Sequence, residues 1–123
     1  MSKILLVDDD RAVVETVAFL LNSEGYTVLT AANGEEGLIM ARNEQPDLIL
    51  LDILMPKING YQMAAFLAAD QKLKKIPVVL LTATSQMAGS VKIETSAKYK
   101  ISKPFSADEL LGTIRKALKP QKI

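Results

Sequence analysis

The sequence predicts a doubly wound α/β fold, in which a single five-stranded parallel sheet in the order 2-1-3-4-5 carries helices on both faces. Three observations predict it. Leu48 to Leu51 and Val78 to Leu81 are apolar without polar alternation, as strands covered on both faces require. Short strand-like runs alternate along the chain with stretches of helical periodicity. Finally, 123 residues suffice for one ordinary core and are too few for two. One domain is expected over residues 1–119, with 120–123 a C-terminal tail or the start of a linker.

Ile4 to Val7 reads as the first strand, followed by the acidic turn Asp8-Asp9-Asp10, in which Asp10 is read as the cap of the helix that follows. Val13, Val14, Val17, Ala18, Leu20 and Leu21 then fall at helical spacing, and Gly25 ends that helix. Tyr26 to Ala31 is the second strand; Asn33 with Glu36 forms a capping box for a helix carrying Leu38, Met40 and Ala41, which ends before Pro46. The third strand ends in Asp52. Leu54-Met55-Pro56 and Asn59-Gly60 shape the loop that follows it, so Asp52 is expected to be displayed rather than buried. Tyr61, Ala64, Ala65, Phe66 and Ala68 predict a helix from about Gly60 to Ala69, and Asp70 to Lys75 a polar connection. Pro77 to Thr82 is the fourth strand, and Ser85 to Ala97 a short or frayed helix interrupted by Gly89. Tyr99 to Ser102 is the fifth strand. Ser106 with Glu109 caps a last helix whose apolar face is Leu110, Leu111, Ile114, Ala117 and Leu118.

Composition narrows the function classes. The chain has no cysteine and no histidine, which removes thiolate and imidazole chemistry and leaves carboxylates, lysine and hydroxyls. A net charge of +1 offers no bulk electrostatic case for nucleic acid or for a membrane surface. No apolar run approaches the ~18 residues of a membrane span. The N-terminus lacks the pattern of a signal peptide, so a cytoplasmic location is expected.

The predicted winding reverses between strands one and three, and ligands bind at the carboxyl ends of strands at such a reversal. That edge collects Asp8, Asp9 and Asp52. Two carboxylates ~4 Å apart repel by about 1 kcal/mol at water's dielectric and about 4 kcal/mol at an effective value of 20, so a cation must offset them. An all-oxygen site without His or Cys suits Mg²⁺. Lys103 after strand five supplies a second positive charge, and Thr82 after strand four a hydroxyl. This set equips Asp52 to attack a phosphoryl group as nucleophile, forming an acyl phosphate while metal, lysine and hydroxyl stabilise the transferring oxygens.

Asp8-Asp9, the segment Asp52-x-x-Met55-Pro56-x-x-x-Gly60, Thr82-Ala83 and Lys103-Pro104-Phe105 occur in this order. In these features the chain resembles the receiver domains of two-component response regulators, from Lys3 to about Leu118. The resemblance implies a flavodoxin-like fold and a Mg²⁺-dependent phosphorylation switch, which catalyses only its own phosphorylation and dephosphorylation. The implied phosphodonor is a histidine kinase or histidine phosphotransfer protein. Asp52 would be the phosphoacceptor, Asp9 and the backbone carbonyl of Leu54 direct metal ligands, and Asp8 a ligand acting through a metal-bound water. Thr82 and Lys103 would bind the phosphoryl oxygens. A downstream protein would meet the face made by the fourth helix, fifth strand and fifth helix. Monomer or weak dimer is expected, with no direct contact to nucleic acid or membrane.

The chain departs from the family pattern at strand five. Many relatives carry an aromatic residue three positions before the active-site lysine; here that position is Lys100 and the aromatic is Tyr99, which strand alternation points to the opposite face. This leaves open a receiver-fold docking or dimerisation module that does not switch by phosphorylation. Thr95-Ser96-Ala97-Lys98 replaces the usual turn before that strand. A dinucleotide-binding reading fails because Asp8-Asp9-Asp10 stands where a glycine-rich loop would be. A phosphohydrolase of the haloacid dehalogenase type would carry a second Asp two residues after the first, where this chain has Leu54.

Overall fold

The structure is a computed structural model; it describes residues 2–52, 60–82, 97–102 and 105–118. Among the described residues nine elements follow one another: β1 (Lys3–Val7), α1 (Arg11–Ser23), β2 (Thr27–Ala31), α2 (Gly34–Glu44), β3 (Leu48–Asp52), α3 (Gly60–Ala69), β4 (Val78–Thr82), β5 (Ala97–Ser102) and α4 (Ala107–Leu118). The strands form one parallel sheet in the order β2-β1-β3-β4-β5, as the sequence predicts. The short helix expected over 85–97 lies outside the described residues except for Ala97, which belongs to β5.

The uninterrupted apolar runs are explained by two half-cores. Leu5, Val7, Ile49, Leu51, Val78 and Leu80 point to one side, where Ala41 of α2 and Met63, Ala64 and Leu67 of α3 cover them. Ile4, Leu6, Leu48, Leu50, Val79 and Leu81 point to the other, under Val17 and Leu21 of α1 and Leu110, Leu111 and Ile114 of α4. Strand alternation thus divides each run between two layers, and each buried Leu or Ile contributes roughly 1.5–3 kcal/mol. Tyr99 and Ile101 face the α1 and α4 layer while Lys100 is exposed, in agreement with the expected alternation.

The helix ends follow the local sequence. Asp10 caps α1, its Oδ1 accepting from the N–H groups of Ala12 (3.0 Å) and Val13 (3.4 Å). Asn33 Oδ1 accepts from Glu36 N–H at 2.8 Å, and Glu36 Oε1 accepts in return from Ala32 N–H at 3.0 Å. Ser106 Oγ accepts from Glu109 N–H at 3.0 Å.

Three local expectations are corrected, and the buried face of α3 is defined. Strand β2 begins at Thr27 rather than Tyr26, because α1 ends in a Schellman motif: Gly25 has φ 94°, Gly25 N–H donates to the Asn22 carbonyl and Tyr26 N–H to that of Leu21, each at 3.1 Å. The Tyr26 donor belongs to the helix. Residues 70–75 are a turn rather than a simple polar link; Asp70 Oδ1 accepts from Lys72 N–H (2.8 Å) and Leu73 N–H (3.1 Å), which folds Leu73 into the core at 1% exposure. In α3 the buried face is Met63, Ala64 and Leu67, with Phe66 exposed. Strand β5 starts at Ala97, two residues earlier than expected. Val78 pairs with Ala97 and Val79 with Tyr99, so Lys98 is the extra residue of a bulge.

Candidate functional site

The site is a consequence of register. Strands β1 and β3 pair from Ile4 with Leu48 to Val7 with Leu51, so Asp8 and Asp52 leave the sheet side by side. Asp8 is tied to the other neighbour as well, its N–H donating to the carbonyl of Ala31, the last residue of β2, at 3.1 Å. Asp9 follows into the turn. One carboxylate oxygen from each of Asp8, Asp9 and Asp52 lies within 4.8 Å of the others. Residues 44 apart in sequence are thereby brought to one crevice at the topological switch point.

The three are unequally exposed. Asp8 is 1% and Asp52 4% exposed, whereas Asp9 is open to solvent. The expectation of a displayed Asp52 is therefore corrected: as the last residue of a strand covered on both faces, it keeps the burial of Leu50 and Leu51 before it. Asp8 Oδ1 accepts from Asp10 N–H at 2.9 Å. Thr82 ends β4 opposite Ser102, which places Thr82 and Ser102 at the same sheet edge as Asp52. Lys103 and Leu54 lie outside the described residues.

The acidic trio fits a hard divalent cation. Oxygens bound to one octahedral Mg²⁺ at about 2.0–2.1 Å lie roughly 2.9 Å apart when adjacent and roughly 4.2 Å when opposite, so this spacing accommodates direct ligation or one intervening water. All donors are oxygens, and the chain has no cysteine or histidine to compete. Beside the trio, Asp8, Asp9, Arg11, Thr30 and Glu36 line a cleft of about 350 Å³ between the starts of α1 and α2. Sequence reasoning did not single out Arg11 or Thr30, and read Glu36 only as a cap. Their proximity depends on the β1–β2 pairing and has no local signature.

Parallel strands in this order thus carry a buried carboxylate pair, Asp8 and Asp52, at the reversal point of a doubly wound sheet. A sequence profile described as the response regulator receiver domain matches residues 4–115. The chain belongs to that family. It is 36% identical to the DNA-binding dual master transcriptional regulator RpaA of Synechocystis over 97% of this chain and 50% of that protein. It is 37% identical to Protein PilH of Pseudomonas aeruginosa over 96% of this chain and 98% of that one. The response regulator TrrA of Thermotoga maritima, solved in complex with Mg²⁺ and BeF, superimposes with a TM-score of 0.86 at 36% identity, covering 96% of this chain and 100% of that one. The chain spans about half the length of RpaA and of the other transcriptional regulators it matches. Because such relatives include a DNA-binding regulator, the expectation of no contact with nucleic acid finds no support among them. None of the described helices is long and apolar enough to cross a membrane.

Proposed function

We propose that this chain is a phosphorylation-dependent switch that accepts a phosphoryl group on Asp52 from a histidine kinase or histidine phosphotransfer protein. The observation that carries the reading is the convergence of Asp8, Asp9 and Asp52, drawn from two strands onto one crevice with oxygens within 4.8 Å of one another. Asp9, Asp52 and the Leu54 carbonyl would hold Mg²⁺ directly and Asp8 through a water; that a Thermotoga relative was solved with Mg²⁺ supports a site for this ion. Bound there, the ion offsets the carboxylate repulsion and the charge of the incoming phosphoryl oxygens.

An oxygen of the Asp52 carboxylate attacks phosphorus as the bond to the donor breaks. The leaving imidazole of a phosphohistidine keeps the bonding electron pair and takes its proton from solvent. No general base on this chain is required, because a carboxylate is already ionised at neutral pH. Thr82 donates a hydrogen bond and Lys103 a positive charge to the transferring oxygens. The only reaction assigned to the chain is the making and hydrolysis of its own acyl phosphate.

Incubation with Mg²⁺ and acetyl phosphate, followed by intact mass measurement, tests this. Wild type should gain one phosphate, and neither wild type in excess EDTA nor Asp52→Asn should gain any. No adduct on wild type, or one that survives Asp52→Asn, overturns the reading.

A second reading rests on β5. Lys100 is exposed where relatives carry an aromatic residue, and Tyr99 is packed with Ile101 against the α1 and α4 layer. A receiver so built would serve as a docking or dimerisation module. Under that reading no change in hydrogen exchange or in oligomeric state accompanies addition of the phosphate.

A further inference from the structure

We propose that Asp10 is a positioning residue for the metal site, acting on Asp8 through its backbone; this rests on the reading of the acidic trio as a Mg²⁺ site. Asp8 is 1% exposed, and a buried carboxylate must be oriented by donors if it is to present an oxygen to a cation. One such donor is Asp10 N–H, 2.9 Å from Asp8 Oδ1. The direction of that N–H is set by how Asp10 is held. Its backbone is extended, with φ −86° and ψ 107°, and it is pinned to the first turn of α1 by three bonds. The Asp10 side chain accepts from Ala12 N–H at 3.0 Å and from Val13 N–H at 3.4 Å, and its carbonyl accepts from Val14 N–H at 3.0 Å.

Asp10 therefore turns toward the helix with its side chain and carbonyl, and toward Asp8 with its N–H. Its exposed carboxylate stands outside the trio whose oxygens converge. Loss of the cap would release the first turn, and with it one of the donors that orient Asp8. A purely structural cap would lower helix stability and leave metal affinity alone; a positioning residue changes both.

The test is a series at this position, Asp10→Asn, Asp10→Ser, Asp10→Thr and Asp10→Ala, in order of falling cap strength. Mg²⁺ affinity is measured by calorimetry, well below the melting temperature of each variant, and metal-free melting is recorded alongside. Asn removes the charge while keeping the cap, so the comparison is made against Asp10→Asn. Asp10→Ala should bind Mg²⁺ about fivefold more weakly than Asp10→Asn, with Thr between Ser and Ala; a fivefold change is about 1 kcal/mol. Equal affinity of the Asn, Ser, Thr and Ala variants, with only melting affected, overturns the proposal. Wild type that binds no Mg²⁺ instead overturns the metal site itself, and the proposal with it.

Discussion

Gly37 of α2 lies so close to Met63 of α3 that a β-carbon on Gly37 would stand 2.9 Å from Met63 Cε, and also 2.9 Å from Val7 Cγ2. The second contact is the stiffer, because a β-branched side chain has little rotamer freedom with which to retreat. Gly37→Ala gains about 1 kcal/mol of helix propensity and loses about 1–3 kcal/mol to overpacking, so chemical denaturation should show a net loss of about 1 kcal/mol. Gly112 of α4 has open space where its β-carbon would lie. Gly112→Ala should therefore stabilise by about 0.5–1 kcal/mol, the opposite sign for the same substitution.

The carboxylate trio predicts a reversal between metal-free and metal-bound stability. Asp8→Asn removes one of three neighbouring negative charges while its side-chain oxygen can still accept from Asp10 N–H. In EDTA the variant should be more stable than wild type by about 1 kcal/mol, the scale of one like-charge contact at high dielectric. In millimolar Mg²⁺ the order should invert, because the ion stabilises the wild type more. Melting curves with and without Mg²⁺ check both signs.

Asp70 supplies a pH dependence away from the site. The N–H groups of Lys72 and then Leu73, both bonded to its carboxylate, hold its pKa below the ordinary value of 3.8, and the Arg42 guanidinium adds to this. A lowered folded-state pKa contributes stability that is present above the unfolded pKa and is lost as pH falls through the folded one. Asp70→Asn should thus be less stable than wild type at neutral pH, and the gap should close on acidification below the ordinary carboxylate range. Urea midpoints of the two proteins across that range measure it.

By the resemblance to receiver domains, Leu54 and Thr84 would fall at the two variable positions flanking the proposed phosphoacceptor Asp52, and neither residue carries a carboxylate or amide that would align an attacking water. Self-dephosphorylation should accordingly be slow. Acyl phosphate on Asp52, followed by intact mass in the absence of a phosphatase, should persist for minutes or longer; loss within seconds would contradict this.

Strand order, the residues that cap α1, α2 and α4, and the sheet edge carrying Asp8, Asp9, Asp52 and Thr82 were legible because each has a local cause: an apolar run, a capping side chain, or a carboxylate at a strand end. Asp10 was legible as a cap for the same reason. The burial of Asp52 was not, because it depends on what covers the sheet edge rather than on the turn residues after the strand. The face of α3 was not legible because Ala and Phe score as apolar wherever they sit, and only contact with β1, β3 and α2 selects Met63 and Leu67 over Phe66. Leu73 looked like part of a polar link until Asp70 closed the turn around it. The sequence by itself determined which elements form and which carboxylates reach the switch point, because propensity, capping and strand polarity act within a few residues. Only the tertiary structure decided how deeply those carboxylates are buried, which donor orients Asp8 and which residues share its cleft, because these depend on pairing between β1, β2 and β3.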